Sequence, residues 1–278
     1  MPLPILIYHQ IADRDRHKNG STIVPEDWPY RLDQDVFEAQ MQWIVEQQMR
    51  TMVIEELTLG PSGDGPITAR PSRRVCLTFD DGSVSHYTIV YPMLLSYGHR
   101  ATFFVITDRI GQRGYVSWEQ LHEMAANRMS IQSHSCSHPH LAHGSLRQAR
   151  DELRRSKERL EQTLGSRVTA FAAPGGSWRP DLSALAKDCG YQIVCTSEQG
   201  LNEDPFDRLA LKRLSIRRTY SPSRVHSLLM GRPSVVLRQQ LEAFCFESAK
   251  IVLGWERYKR IRQQLLARAI SRADGPLR

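Results

Sequence analysis

Two adjacent carboxylates end an apolar run near residue 80. The run Val75-Cys76-Leu77-Thr78-Phe79 is followed directly by Asp80, Asp81 and Gly82. A β-favouring run stopped by glycine predicts a buried strand that delivers both acids to a loop at its carboxyl end. Neighbouring positions on a strand face opposite ways, so the two acids are expected to have different roles. Because buried carboxylates need a cation or hydrogen-bond donors nearby, the pair predicts a metal site.

Two histidines that suit such a site follow the segment Ser130-Ile131-Gln132-Ser133. His134 and His138 are separated by three small residues, so one tight turn can aim both imidazoles at one point. One aspartate and two histidines make an open mononuclear site, which is typical of a hydrolytic rather than a structural metal. The alternative is that the histidines are ordinary loop residues and the acids cap a helix. Cys136 is interpreted as a spacer, with a thiolate ligand as the other reading.

These segments resemble two motifs of the polysaccharide deacetylases, which are carbohydrate esterase family four and contain the NodB-homology domain. Residues 78–82, Thr-Phe-Asp-Asp-Gly, are similar to the first motif, and His134-Ser135-Cys136-Ser137-His138 with Leu141 is similar to the second. The resemblance implies that Asp80 is the general base. It also implies that Asp81, His134 and His138 hold one divalent metal ion, with zinc favoured and cobalt, nickel or iron as the other candidates.

A histidine near the N-terminus extends this resemblance. Most members take their general acid from a Leu-x-His motif near the C-terminus. In the circularly permuted branch, which includes poly-N-acetylglucosamine deacetylases, a strand ending in Tyr-His comes first. Leu6-Ile7-Tyr8-His9 resembles that branch and implies that His9 is the acid, although a lone histidine at a strand end is more often a satisfied core residue.

The segment 168–178 occupies the place of a third motif, in which a proline is followed by tyrosine. By the resemblance, Pro174 precedes the backbone N–H of Gly175, which helps to bind the oxyanion. Tyrosine is replaced by Gly175, so Trp178 is a candidate pocket wall, and the usual preceding arginine is absent. Arg213, in the predicted last strand, is a candidate replacement for that arginine beside Asp80. The alternatives are a plain Pro-Gly-Gly turn and a solvated arginine.

The elements that must position these residues alternate between strand and helix. Apolar runs begin near residues 5, 75, 101, 168 and 209, and amphipathic segments lie between them. This pattern predicts an α/β fold of parallel βα units. The resemblance narrows it to a distorted (β/α) barrel over residues 1–232, with residues 233–278 as a basic helical extension. The polar segment 12–32 is predicted to be a substrate-side loop, whose Trp28 and Tyr30 can stack on a sugar ring.

Charge and cysteine content limit the classes of partner and compartment. The 278 residues carry a net charge of +7, and residues 250–278, with eight basic and two acidic side chains, account for most of it. A nearly neutral body argues against nucleic-acid binding. The basic amphipathic extension predicts packing on the barrel or another subunit, or contact with an anionic membrane surface. Five cysteines without paired spacings and no export-type N-terminus predict a cytoplasmic protein, and contact of the basic extension with lipid would place it at the inner face of the membrane.

The implied activity is metal-dependent hydrolysis of N-acetyl groups on a polysaccharide, an oligosaccharide or a lipid-linked sugar. Three alternatives stay open at this point. They are hydrolysis of another non-peptide amide, a decayed carbohydrate-binding protein, and a membrane-docked assembly factor that uses only its basic tail.

Overall fold

Parallel strands form the centre of the protein in its computed structural model, which describes residues 2–13, 28–58, 73–176 and 178–273. In chain order the strands are β1 (Ile5–Tyr8), β2 (Ile11–Ala12), β3 (Leu32–Asp33), β4 (Arg50–Met52), β5 (Arg74–Phe79), β6 (Thr102–Val105), β7 (Ser130–Ser133), β8 (Ala170–Ala172), β9 (Ile193–Gln199) and β10 (Leu211–Ser215).

Seven of these strands close into a barrel in the order β1, β10, β9, β8, β7, β6 and β5. Closure comes from β1, which pairs in parallel with β10 on one side and with β5 on the other. The first strand of the chain therefore stands between the last strand and β5. Because all seven strands run in parallel, their carboxyl ends gather at one end of the barrel.

The apolar character of the strands follows from burial on both faces. Every residue of β1 is buried, and so are the last five residues of β5. One cluster fills the barrel, with Ile5, Cys76 and Phe104 among its members. A larger cluster, which includes Leu6 and Leu77, lies between the strands and the surrounding helices. The alternation of neighbouring residues between the two clusters is the period of two of a β-strand.

Helices connect the strands on the outside of the barrel. They are α1 (Gln34–Glu46), α2 (Tyr91–Ser96), α3 (Trp118–Ala126), α4 (Leu146–Leu164), α5 (Pro180–Asp188), α6 (Pro222–Leu229), α7 (Pro233–Leu253) and α8 (Trp255–Ala273). The longest connecting helix, α4, is capped by Ser145, whose hydroxyl accepts from the Gln148 N–H, and ends at Gly165 in the left-handed conformation. The predicted α/β barrel is therefore confirmed.

The helical extension begins with α7, which packs against the carboxyl ends of β9 and β10. The buried side chain of Gln239 donates to Oε1 of Gln199, at 2.6 Å, and to the carbonyl of Ser215, at 3.2 Å. Gly254 separates α7 from α8. Whether residues 233–278 form a unit distinct from the barrel stays a prediction.

The predicted substrate-side loop falls mostly outside the described residues. At its two ends, β2 and β3 pair with each other, and Trp28–Tyr30 form a 3-10 turn. The Gly/Pro-rich segment before β5 also lies outside the described residues.

Candidate metal centre and active site

The chemically active side chains gather at the carboxyl end of the barrel. β1 ends before His9, β5 before Asp80 and Asp81, and β7 before His134. The register of β1 against β5 pairs Tyr8 with Phe79, and the Asp80 N–H donates to the Tyr8 carbonyl at 3.0 Å. His9 and Asp80 therefore lie at the same level, each directly after the last residue of one of two adjacent strands.

Asp81, His134 and His138 form a three-residue cluster. Oδ1 of Asp81 lies 3.3 Å from Nε2 of His134 and 3.4 Å from Nε2 of His138. One donor atom from each residue lies within 4.8 Å of the other two. One carboxylate oxygen and two imidazole nitrogens are a donor set that suits a catalytic divalent cation, because three protein ligands leave coordination positions open. These three residues therefore fit the metal that the sequence predicts.

A hydrogen bond from Nδ1 fixes the orientation of the His134 imidazole. Its Nδ1 lies 2.8 Å from the carbonyl oxygen of Ala172 in β8, and since a carbonyl only accepts, Nδ1 carries the proton and Nε2 faces Asp81. Burial, followed by the charge of His134, lowers the pKa of His138 to about 4. His138 is therefore a neutral imidazole near pH 7, which is the form that binds a metal.

The turn between the two histidines is held by Glu152 of α4. Its carboxylate accepts from the backbone N–H groups of Cys136, at 2.8 Å, and Ser137, at 3.0 Å, and from the Ser137 hydroxyl at 2.7 Å. The Cys136 side chain is buried, and burial raises the pKa of its thiol to about 11. Cys136 is not part of the three-residue cluster, and its position favours the spacer interpretation over the thiolate ligand.

Asp80 forms a buried, two-pronged ion pair with Arg213. Nη1 and Nη2 of Arg213 donate to Oδ1 and Oδ2 of Asp80, both at 2.8 Å, and the two side chains are 0% and 5% exposed. Nε of Arg213 donates to the Thr196 carbonyl in β9 at 2.8 Å. The register between β9 and β10 shifts at this position. Such an irregularity beside an active site can re-aim a side chain, and here Arg213 points into the barrel toward Asp80.

This pairing sets the ionisation of Asp80. Burial by itself raises the pKa of Asp80, but the charge and hydrogen bonds of Arg213, together with the charges of His134 and His9, outweigh it, and the net pKa is below the usual range of an aspartate. Asp80 is therefore ionised near neutral pH. Arg213 is fully buried, and its described hydrogen bonds are to Asp80, Thr78 and the Thr196 carbonyl.

His9 lies beside both aspartates. The charge of a protonated His9 is among the causes that lower the pKa values of Asp80 and Asp81. Its ring lies 5.0 Å from the ring of Tyr30. Behind it, Nε2 of His86 donates to the His9 carbonyl at 2.7 Å. Burial lowers the pKa of His86 to about 4, so a neutral imidazole supports the backbone that carries His9.

Pro174 and Gly175 follow β8 on the opposite side of the cluster. Pro174 is buried, and Gly175 has a φ of 63°. The Gly176 N–H donates to the Ala173 carbonyl at 2.9 Å. Among the described residues, by contrast, no hydrogen bond uses the Gly175 N–H, the candidate oxyanion donor. A Cβ on Gly175 would stand 2.2 Å from Cε1 of His140, so the His140 ring occupies the space beside this backbone.

Trp178 is anchored to the protein body. Its indole N–H donates to the Ser183 hydroxyl in α5 at 2.8 Å, and its ring lies 5.9 Å from the ring of Phe171. The described contacts of Trp178 are thus with the core and with α5. His140 rather than Trp178 fills the room beside Gly175.

Three supporting residues were missed from the sequence: Glu152, His86 and His140. Glu152 lies on a charged helix face where solvation is the ordinary interpretation, and His86 sits in a segment interpreted as a plain helix. His140 had the clearest signal, because it stands two residues after a candidate ligand and is followed by Leu141 of the second motif.

Comparison with known proteins identifies one family of relatives. The family model described as polysaccharide deacetylase matches residues 68–194. YxkH of Bacillus subtilis (strain 168), which is named for the same family, is 31% identical over 215 residues, covering 77% of this chain and 71% of YxkH. The poly-β-1,6-N-acetyl-D-glucosamine N-deacetylase of Staphylococcus epidermidis is 23% identical over 228 residues, covering 76% of this chain and 78% of that protein.

Solved structures share the fold of this chain. The Streptococcus pyogenes deacetylase PplD, in complex with acetate, has a TM-score of 0.70 and 27% identity, over 83% of this chain and 98% of PplD. IcaB from Ammonifex degensii shares the fold with a TM-score of 0.67 and 22% identity, over 82% of this chain and 96% of IcaB. The motifs, the barrel and these relatives together show that the chain belongs to the polysaccharide deacetylase family.

Proposed function

We propose that the protein is a metal-dependent hydrolase that removes N-acetyl groups from an amino-sugar substrate. The observation that carries this proposal is the cluster of Asp81, His134 and His138 beside an ionised Asp80 that Arg213 holds in place. Membership of a deacetylase family supports removal of acetyl groups.

In this proposal the chain contributes a base, an oxyanion donor and an acid, which follow strands β5, β8 and β1 at the carboxyl end of the barrel. Asp80 takes a proton from the attacking water as the water oxygen bonds to the acetyl carbonyl carbon. The Gly175 N–H donates to the carbonyl oxygen as negative charge develops on it. His9 then gives a proton to the amide nitrogen as the C–N bond breaks, so that acetate and a free amino sugar leave.

The cluster would hold one divalent cation, which supplies Lewis acidity to the acetyl carbonyl and to the attacking water. Zinc is the proposed ion, because two imidazoles and one carboxylate are donors that zinc accepts readily. Asp81, His134 and His138 would bind it, and Asp80 would stay free of it because both of its oxygens accept from Arg213.

The test separates the base from the ligands. We expect Asp80→Asn to abolish acetate release while the protein keeps about one equivalent of metal. We expect His134→Ala to lose both metal and activity. Acetate release from N-acetylglucosamine oligosaccharides and metal content by mass spectrometry are measured on the same samples.

A matched control is Asp33→Asn, in a residue that is partly exposed and lies 3.8 Å from Arg218. This variant should keep both metal and activity. Near-normal turnover by Asp80→Asn would remove Asp80 from the role of base. A metal-free wild-type protein with full activity would overturn the metal-dependent proposal.

The proposed substrate is a polymer or oligomer of N-acetylglucosamine. The Staphylococcus epidermidis relative is named as a deacetylase of such a polymer, and it aligns over most of both chains. Acetate release from β-1,6-linked N-acetylglucosamine, but not from unrelated N-acetyl amides, would support this choice.

The proposed location is a reducing compartment, peripheral to an anionic membrane. All five cysteines are free thiols, and three of them, Cys76, Cys136 and Cys195, are buried. In the described part of the chain, no helix combines the length and the apolar character that crossing a bilayer requires. The basic extension supplies the proposed contact with the membrane surface.

A further inference from the structure

Arg217 is a cation at the edge of the candidate active site, and in the described part of the chain no carboxylate forms an ion pair with it. The register of β1 against β10 pairs Leu6 with Leu214 and Ile7 with Ser215, and the Ile216 N–H donates to the Ile7 carbonyl at 3.0 Å. Extending this register by two residues sets Arg217 beside His9. Arg217 therefore lies at the carboxyl end of the barrel, next to His9, the proposed general acid.

Two aromatic rings hold the guanidinium of Arg217. Its Cζ lies 5.0 Å from the ring centre of Phe246 and 6.0 Å from that of Tyr30, and the Tyr30 ring lies 5.0 Å from the ring of His9. Contacts of this kind position a guanidinium without using its N–H groups. His9, Tyr30, Arg217 and Phe246 thus form a continuous row that leads outward from the catalytic centre.

The hydrogen-bonding capacity of Arg217 is unused in the described part of the chain. Its side chain makes no hydrogen bond or ion pair there, and its Nε is buried without a partner. The charge of Arg217 acts on Glu242, but that carboxylate already accepts from Arg224 at 2.8 Å and from Arg238 at 3.1 Å. A guanidinium with free donors, held between rings, is arranged to receive an anionic oxygen group.

Resting on the proposed deacetylation, we propose that Tyr30, Arg217 and Phe246 form a substrate subsite for a sugar that carries an anionic group, a phosphoryl or a carboxylate. This sugar lies next to the one that is deacetylated. The ring of Tyr30 stacks on the sugar, and Arg217 pairs with the charged oxygens. The subsite explains why α7 of the helical extension reaches the active-site rim, since Phe246 is one of its residues.

The test compares three forms of one N-acetylglucosamine trisaccharide: neutral, with a phosphoryl group, and with a uronic acid in place of a neighbouring sugar. Dissociation constants are measured for the wild-type protein and for Arg217→Gln, and acetate release is followed in the same mixtures. We expect the wild type to bind at least one charged form about tenfold or more tightly than the neutral form. Arg217→Gln should lose that preference, so that its dissociation constants for the charged and neutral forms differ by less than about twofold.

The matched control is Arg218→Gln. Arg218 is the next residue, carries the same charge, and is already placed 3.8 Å from Asp33 and 5.1 Å from the ring of Trp28. This variant should keep the preference for the charged form. Arg217→Lys, which keeps the charge but not the planar fork of donors, should recover part of the preference.

Equal wild-type affinities for the three forms would overturn the subsite, and so would an equal loss of preference in Arg217→Gln and Arg218→Gln. A purely structural Arg217 would lower the unfolding temperature of the glutamine variant without changing the ratio of affinities. Charge-selective binding without acetate release would contradict the proposed function instead, so the two failures are distinguishable.

Discussion

Gly175 stands where a side chain would collide with the active site. A Cβ would lie 2.2 Å from Cε1 and 2.4 Å from Nδ1 of His140, and the φ of 63° disfavours any residue with a side chain. Relief of this contact requires the imidazole to rotate or the backbone at position 175 to shift. A larger residue at position 175 therefore displaces His140 or moves the candidate oxyanion donor.

We expect Gly175→Ala to cost about 1–2 kcal/mol of unfolding free energy because of the left-handed backbone. We also expect kcat/KM for acetate release to fall by roughly 10- to 100-fold because the donor is misplaced. Adding His140→Ala should recover part of the activity, since it removes the clash but not the backbone strain. For both variants, steady-state kinetics measures kcat/KM and urea unfolding measures the free energy of unfolding.

His143→Ala is the control for the imidazole, because its ring lies 6.2 Å from that of His140 in the same segment. Adding His143→Ala to Gly175→Ala should not restore any kcat/KM. If the double variant with His140→Ala is no more active than Gly175→Ala alone, the contact with His140 does not account for the glycine.

The pair of Asp80 and Arg213 joins the proposed general base to a buried ion pair that supports the fold. Removing one partner of a buried ion pair leaves an uncompensated charge, which costs about 3–5 kcal/mol. We expect Arg213→Gln to lower the free energy of unfolding by this amount, measured in urea. Arg213→Lys should lower the free energy of unfolding by less than Arg213→Gln, because lysine keeps the positive charge beside Asp80. Some loss should remain, because an ammonium group does not form the two-pronged pair of a guanidinium.

The comparison for Arg213 is Arg218→Gln, whose side chain is 23% exposed and whose ion pair with Asp33 spans 3.8 Å. Exposed pairs contribute about 0–1 kcal/mol, so this variant should stay close to the wild type. An Arg213→Gln protein of wild-type stability would show that the pair does not support the fold.

At the scale of elements, α4 shapes the metal centre without contributing a ligand. Glu152 ties the turn between His134 and His138 to the helix through three hydrogen bonds to Cys136 and Ser137. Groups that support metal ligands typically affect metal affinity by about 10- to 100-fold. We expect Glu152→Ala to weaken metal binding by this factor, measured by competition with a chelator of known affinity.

Glu158→Ala tests whether any lost charge on α4 has the same effect. Glu158 is exposed and pairs with Arg154 at 3.6 Å on the outer face of the same helix. It should leave metal affinity unchanged. Equal weakening in the two variants would assign the effect to the net charge of the helix rather than to the turn.

At the scale of the whole molecule, charge and apolar surface are concentrated in the C-terminal helices. Leu237, Leu241 and Phe244 of α7 are 55%, 56% and 69% exposed, and their spacing places them on one face. The helix that follows, α8, carries most of the basic residues of the extension. Exposed apolar residues beside basic ones are the combination that binds an anionic membrane surface.

We expect the protein to co-sediment with phosphatidylglycerol vesicles and not with phosphatidylcholine vesicles. Reversing the charges of Arg257, Arg260 and Arg262 to glutamate should weaken this binding by on the order of 100-fold or more, at about 1 kcal/mol for each basic residue near the surface. The control reverses Arg147, Arg150 and Arg154 of α4, which are exposed on the barrel. Binding that is equal in both reversals, or independent of lipid charge, would contradict a membrane role for α8.

Local sequence patterns are sufficient to predict which residues stand at the ends of the strands. Residues 75–82 and 130–138 combine an apolar strand with chemically specific side chains a few positions on, so local pattern indicated a metal site of one aspartate and two histidines, and the family resemblance selected Asp81 rather than Asp80 as the ligand. The same local pattern predicted parallel βα units, and the resemblance narrowed them to a barrel. Their assigned roles in catalysis remain predictions.

Tertiary structure decided which side chains meet across the barrel. Asp80 and Arg213 are 133 residues apart, and they pair because β1 closes the barrel between β5 and β10, which no local periodicity encodes. The contact of His140 with Gly175 likewise joins loops after β7 and β8. Such contacts depend on strand order and register, whereas sequence patterns report only burial and spacing within one segment. The ligands could therefore be predicted from the sequence, while the groups that orient them, and the row from His9 to Phe246, came only from the folded chain.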